Sequence, residues 1–96
     1  MNALEALSDP TRRRIVELLA EDELSAGEIA AQFTTSRPGV SRHLRVLRDA
    51  GLVQVREVGQ RRLYTLEPAP LAELSVWLEN RLDALDTEIR RRRRKR

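Results

Sequence analysis

Seven arginines and only two acids fall between Thr35 and Arg62, and four of them, Arg37, Arg42, Arg45 and Arg48, recur every three to five residues. A guanidinium stays charged, and its planar fork matches guanine O6 and N7 or a pair of phosphate oxygens. Ser36 and Ser41 add hydroxyls able to bond a base edge or a phosphate, and Arg61 and Arg62 follow. The chemistry on offer is recognition of a polyanion. Catalysis fits poorly: there is no cysteine, the single histidine is His43 inside the basic stretch, and no glycine-rich phosphate loop occurs. No nucleophile is paired with a base, so neither an enzyme nor a cofactor is expected.

The net charge of +3 is segregated along the chain. Residues 1–34 carry three arginines against seven acids and residues 63–89 one against six, whereas residues 90–96 are all basic. A basic centre on an acidic body is the footprint of a nucleic-acid-binding face, whereas plain solvation would not sort the signs into blocks. Only Phe33, Tyr64 and Trp77 are aromatic, too few for the stacking platform of a single-strand binder. No apolar run approaches the roughly 20 residues that span a bilayer, and no signal-peptide core follows Met1, so a cytoplasmic, nucleoid-associated protein without a membrane partner is expected.

The elements that hold these arginines can be read from caps and periodicity. Residues 1–7 suit two helical turns with Leu4 and Leu7 on one side. Asp9 before Pro10 is a helix start, and Ile15, Leu18 and Leu19 continue it to about residue 20. Ser25 and Glu28 form a capping box for a short helix at 26–32. Thr34-Thr35-Ser36 makes a turn, Ser36 caps the next helix, and Pro38 sits in its first turn. Gly39 there costs up to about 1 kcal/mol of helix propensity. That helix ends at Ala50-Gly51. Leu52–Val58 and Arg61–Leu66 read as strands joined by Gly59-Gln60, and a last helix follows Pro68 and Pro70 from about 71 to 90. The fold class is mainly α with one β-hairpin, in the order α-α-α-α-β-β-α: a winged helix-turn-helix over residues 25–66.

At 100° per residue, Val40, Leu44 and Leu47 share the core-facing arc of the second helix of this motif. Pro38, Ser41, Arg42 and Arg45 share the opposite arc, with Arg37 at its edge. Such a helix fits the major groove of duplex DNA with donors at its N-terminal end. Arg37 and Arg42 suit guanine, Ser41 a base edge or phosphate, and Arg45 and Arg48 the backbone, although an acid partner is the more ordinary role for Arg48. His43 flanks the core stripe, where it either packs half-buried or meets DNA. Arg61 and Arg62 stand where a wing would reach the minor groove or phosphates, on opposite faces of their strand.

Val40-Ser41-Arg42-His43-Leu44 and Leu47-Arg48-Asp49-Ala50-Gly51-Leu52-Val53, with Asp9-Pro10-Thr11-Arg12 before them, resemble the ArsR/SmtB (arsenic-repressor-like) family of bacterial winged-helix regulators. The resemblance covers nearly the whole chain. It implies a homodimeric transcriptional repressor of a palindromic operator, often autoregulatory. The arsenic-sensing branch carries E-L-C-V-C-D-L before the turn, whereas this chain reads Glu23-Leu24-Ser25-Ala26-Gly27-Glu28-Ile29, without either thiol. Zinc-type relatives use Asp and His ligands on the last helix, and residues 71–90 contain no histidine. No metal site is expected, and Leu63–Leu71 resembles a metal-free branch. The first helix is shorter than is usual for the family.

Leu71, Leu74, Trp77, Leu78, Leu82, Leu85 and Ile89 recur at helical spacing. A chain of this length buries only about 60–65% of its unfolded surface, so a partner helix should cover part of this stripe. Residues 71–89, with Leu4 and Leu7, are therefore expected to form a homodimer. The domain spans 1–89, and the run Arg90–Arg96 reads as a disordered tail, because seven adjacent like charges repel. Such a tail suits non-specific phosphate binding or solubility equally. Two rival readings stand beside the repressor: a winged-helix module that binds protein, and a repressor released by a small ligand.

Overall fold

A computed structural model describes residues 1–94. Five helices and one hairpin follow in the order α1 (Ala3–Ala6), α2 (Pro10–Glu21), α3 (Ala26–Ala30), α4 (Arg37–Asp49), β1 (Val53–Val58), β2 (Arg61–Leu66) and α5 (Ala69–Arg94). Each short helix starts where a side chain replaces a missing backbone acceptor. Asn2 accepts the Glu5 N–H at 2.9 Å, and Asp9 accepts that of Arg12 at 3.0 Å ahead of Pro10. Ser25 and Glu28 close the expected capping box in both directions, at 3.2 and 3.0 Å. The box fixes where α3 begins, and α3 ends two residues short of the expected span.

Two glycines explain the boundaries of α4. Gly51 has φ +76°, and its N–H bonds Arg48 O at 2.9 Å while that of Leu52 bonds Leu47 O at 3.0 Å. This pair of bonds is the Schellman ending, and only glycine takes the left-handed position without strain. At the other end, a Cβ on Gly39 would stand 2.8 Å from Thr35 Cγ2. The turn packs onto the helix there, which explains a glycine that helix propensity alone disfavours.

Val40, Leu44 and Leu47 of α4 are buried with Ile15 and Leu19 of α2, Ile29 of α3, Ala6, Leu52 and Val53. No polar or charged residue is buried among them. The recognition helix is thus clamped along one whole face by the rest of the domain. Its orientation belongs to the core.

The hairpin is antiparallel, with Val53 opposite Leu66 and Val58 opposite Arg61, and Gly59 at φ +63° turns it. Leu24, in the link between α2 and α3, adds one further rung to it. Its N–H and C=O exchange bonds with Tyr64 at 3.3 and 2.7 Å. A single-residue strand carries no periodicity, so it cannot be read in advance; here it ties the wing to the helix-turn-helix.

The end of the chain differs from expectation. The residues from Arg90 to Arg94 are helical, not disordered, and α5 starts at Ala69. Arg90 pairs with Asp86, and Arg91 and Arg92 with Glu88, one turn back. These i,i+3 and i,i+4 pairs, with cations favoured at a helix C-terminus, offset the repulsion between neighbours. Lys95 and Arg96 lie outside the described residues. The described residues extend 65 Å along α5 but only 25 × 23 Å across.

Candidate nucleic-acid interface

The surface opposite the α4 core arc carries Arg37, Pro38, Ser41, Arg42, Arg45 and Arg48, all exposed. Ser36 heads the helix, its hydroxyl accepting the Gly39 N–H at 3.3 Å. Pro38 has no N–H and that of Val40 bonds Ser36 O at 3.1 Å, so only the Arg37 amide of the first turn lacks an intrahelical partner, at the helix end whose dipole favours an anion.

Lack of a partner marks these arginines, a trait they share among the described residues with Arg62 and, on α5 away from this surface, with Arg81, Arg93 and Arg94. Arg14, Arg56, Arg61, Arg90, Arg91 and Arg92 each lie within ion-pair distance of a carboxylate. Arg12 and Arg13 bond carbonyl oxygens at the end of α1. Among the described residues, Arg37, Arg42, Arg45, Arg48 and Arg62 have neither kind of partner. Arg48 therefore lacks the acid partner that the sequence suggested for it. A positive field is left uncompensated along one helix face and the adjoining hairpin.

His43 lies elsewhere. Its ring is 23% exposed and turned toward α2, with Nδ1 3.4 Å from Arg12 Nη1 and 4.0 Å from Asp9 Oδ2. This is the packing alternative of the two weighed for it. Arg12 in turn donates to Ala6 O and Glu5 O, so one guanidinium ties α1 and α2 to the recognition helix. Arg12 stands in the sequence only as the end of the Asp9-Pro10-Thr11-Arg12 string, with nothing to announce this tie.

Alternation sends Arg61 and Arg62 to opposite sides of β2. Arg61 donates to Glu28 Oε1 at 2.6 Å, the same oxygen that accepts the Ser25 N–H. Arg62 instead lines an open cleft with Ser41, Arg45, Arg48 and Tyr64. Arg37 leans back over α3, its Nη2 3.7 Å from where a Cβ on Gly27 would be.

Two carboxylates are held below their ordinary pKa. The Arg12 backbone N–H is the main cause for Asp9, with His43 and the Arg12 charge adding to it against burial. For Glu28 the cause is first the Ser25 N–H, then the Ser25 hydroxyl, with Arg61 adding to both. A lowered folded pKa stabilises fully above the unfolded value, and that contribution disappears as pH falls through the lowered one. Acid unfolding followed by circular dichroism should therefore begin below about pH 4, and Asp9→Asn should flatten part of that loss.

On α5, Leu71 and Leu74 are half-buried against the domain. Trp77, Leu78, Leu82, Leu85 and Ile89 are 53, 43, 64, 51 and 45% exposed, as is Leu4 at 54%. Leu7, expected with them, packs half-buried on its own core instead. A cleft lined by Asn2, Ala3, Leu4, Ala50, Pro70, Glu73 and Leu74 opens beside this stripe. Among the described residues, no three His, Cys, Asp or Glu side chains are grouped to hold a metal, and no helix is long and apolar enough to cross a membrane.

A reading helix held by a three-helix body and flanked by a hairpin defines the winged helix-turn-helix class. Residues 7–56 match the family model described as a helix-turn-helix domain. The HTH-type transcriptional regulator Rv2034 of Mycobacterium tuberculosis is 51% identical over 77 residues, covering 80% of this chain and 72% of that protein. The transcriptional repressor SdpR of Bacillus subtilis is 35% identical over 88 residues, covering 92% and 98%. Among solved structures, a possible transcriptional regulator for arsenical resistance matches at 41% identity and TM-score 0.76, over 92% of this chain and 96% of that one. An ArsR-like transcriptional regulator from Rhodococcus sp. RHA1 matches at 31% and 0.84, over 90% and 79%. The chain belongs to the ArsR/SmtB family of winged helix-turn-helix transcriptional regulators. These relatives are named as regulators of transcription, not as enzymes.

Proposed function

We propose that the protein is a homodimeric repressor of transcription that reads a palindromic duplex operator with α4, in the bacterial cytoplasm. The observation that carries this reading is the set of arginines on the exposed arc of α4 left without carboxylate partners. Arg37 and Arg42, near the helix N-terminus, are assigned to base edges, and Ser41 to a base edge or a phosphate. The wing is assigned to flanking DNA through Arg62, since Arg61 is bonded to Glu28. His43 acts behind the helix, holding it to α2.

The bare apolar stripe of α5 supports the dimer. Leu4 and the five α5 residues are each 43–64% exposed, and a row of large apolar side chains rimmed by polar ones is what marks an interaction surface. A two-fold axis through that face would set two α4 helices about 34 Å apart, one turn of the duplex. The cleft beside Leu4 and Leu74 is read as part of this interface. Ser25 and Gly27, where arsenic-sensing relatives carry thiols, support a repressor that does not sense thiophilic metals.

Selecting bound duplexes from a random pool tests this function. The expected product is a two-fold symmetric site with half-sites one turn apart, recovered equally with zinc or arsenite present. An asymmetric site contradicts the dimer, and recovery of no preferred sequence contradicts the reading.

A further inference from the structure

The two wing arginines are neighbours of one type, both exposed, yet the molecule treats them differently. Arg61 is bonded to Glu28 of α3. Arg62 faces the cleft between β2 and α4, where Arg45, Arg48, Ser41 and Tyr64 complete the lining. We propose that this cleft seats a single DNA backbone phosphate, gripped by Arg62 with Arg45 and Arg48, and that Glu28 keeps Arg61 out of the contact. The proposal rests on the DNA-binding reading above.

Three guanidinium groups line one cleft with no carboxylate among its lining residues. Like charges so gathered repel, and an anion between them relieves that cost while gaining charge-assisted hydrogen bonds. The Ser41 and Tyr64 hydroxyls can each give one further donor to a phosphate oxygen. The cleft has no apolar floor and no pair of aromatic faces that would take a base. It is open to solvent, which suits one group of a long polyanion better than a small enclosed ligand. The cleft also joins the recognition helix to the wing, so a phosphate held there fixes the register of α4 in the groove without reading sequence.

Arg61 is excluded for two reasons. Its guanidinium already has a carboxylate at 2.6 Å. That carboxylate is itself fixed by the capping box of α3, so it cannot swing away without uncapping the helix. A phosphate approaching Arg61 would meet Glu28 as well, and the two negative charges repel.

The test is a duplex-binding titration between about 50 and 200 mM salt, where each phosphate contact adds about one to the slope of log affinity against log salt. Arg62→Gln is expected to lower the slope by about two, one for each half-site of the dimer, and to weaken selected and random duplexes by the same factor. Arg61→Gln should leave slope and affinity within about twofold of the parent, since its contact is neither made nor lost. Glu28→Gln keeps the capping box, because glutamine also serves there, and removes the charge. In that background Arg61→Gln should gain a slope effect that it lacks in the wild type. A single neutral methylphosphonate scanned along the selected duplex should reveal one position per half-site where the loss seen with the wild type is reduced for the Arg62→Gln chain. Equal slope losses from Arg61→Gln and Arg62→Gln, or no loss from Arg62→Gln, would overturn the phosphate seat while leaving DNA binding intact. A wild-type chain that binds no duplex at any salt overturns both.

Discussion

A chain carrying Leu82→Glu and Leu85→Glu is expected to run as a folded monomer and to bind the selected operator about 10²–10⁴-fold more weakly than the wild type. The size follows from linkage. Once one recognition helix of a dimer is seated, the second meets its half-site at an effective concentration set by the dimer, not by the solution. Losing the partner removes that gain entirely. The fold should survive, because these side chains are 64 and 51% exposed and contribute nothing to the core around Ile15, Leu44 and Leu47. Four glutamates per dimer would face one another in an apolar seam, and burying unpaired charge is far costlier than leaving it in water. Trp77 is the single tryptophan and is 53% exposed, so its emission reports the association directly. The wild type should shift to the blue as concentration rises, and the double variant should not. A variant that remains a dimer, with unchanged circular dichroism, would place the partner surface elsewhere.

Most of the helical framework was legible because its signals are local. Asp9-Pro10, Ser25 with Glu28, Ser36 and Gly51 each act within four residues of their own position, and each ends or starts a helix as expected. The exposed arc of α4 was legible for a similar reason, since the spacing of Val40, Leu44 and Leu47 settles which side faces the core. Contacts between distant residues left no such trace. Nothing near Glu28 announces that Arg61, 33 positions on, will bond it, or that Leu24 will add a rung beside Tyr64. The flank position of His43 left two roles open, and only the approach of Asp9 and Arg12 in space turned it inward. Charge alone does not foretell that Arg90–Arg94 continue α5. Asp86 and Glu88 one turn earlier supply the counter-charges that let the helix continue.

Arg42→Ala is expected to cost about 1–3 kcal/mol for each half-site, a loss of roughly 5- to 150-fold apiece, and to relax preference at one base position in each. Alanine is the best helix former, and Arg42 is exposed and bonded to nothing among the described residues, so α4 itself should not suffer. The loss would come from two parallel donors withdrawn from guanine O6 and N7, groups that no other side chain on that turn can reach in the same plane. A phosphate-bound arginine behaves differently, because its removal weakens every sequence alike and lowers the salt slope.

The most direct measurement of whether α4 reads base sequence is therefore the random-pool selection repeated with the Arg42→Ala chain. The expected result is the same two-fold symmetric site with one position per half-site gone from preference to indifference. A site recovered unchanged, or a uniform loss across all positions, would contradict base reading by this helix.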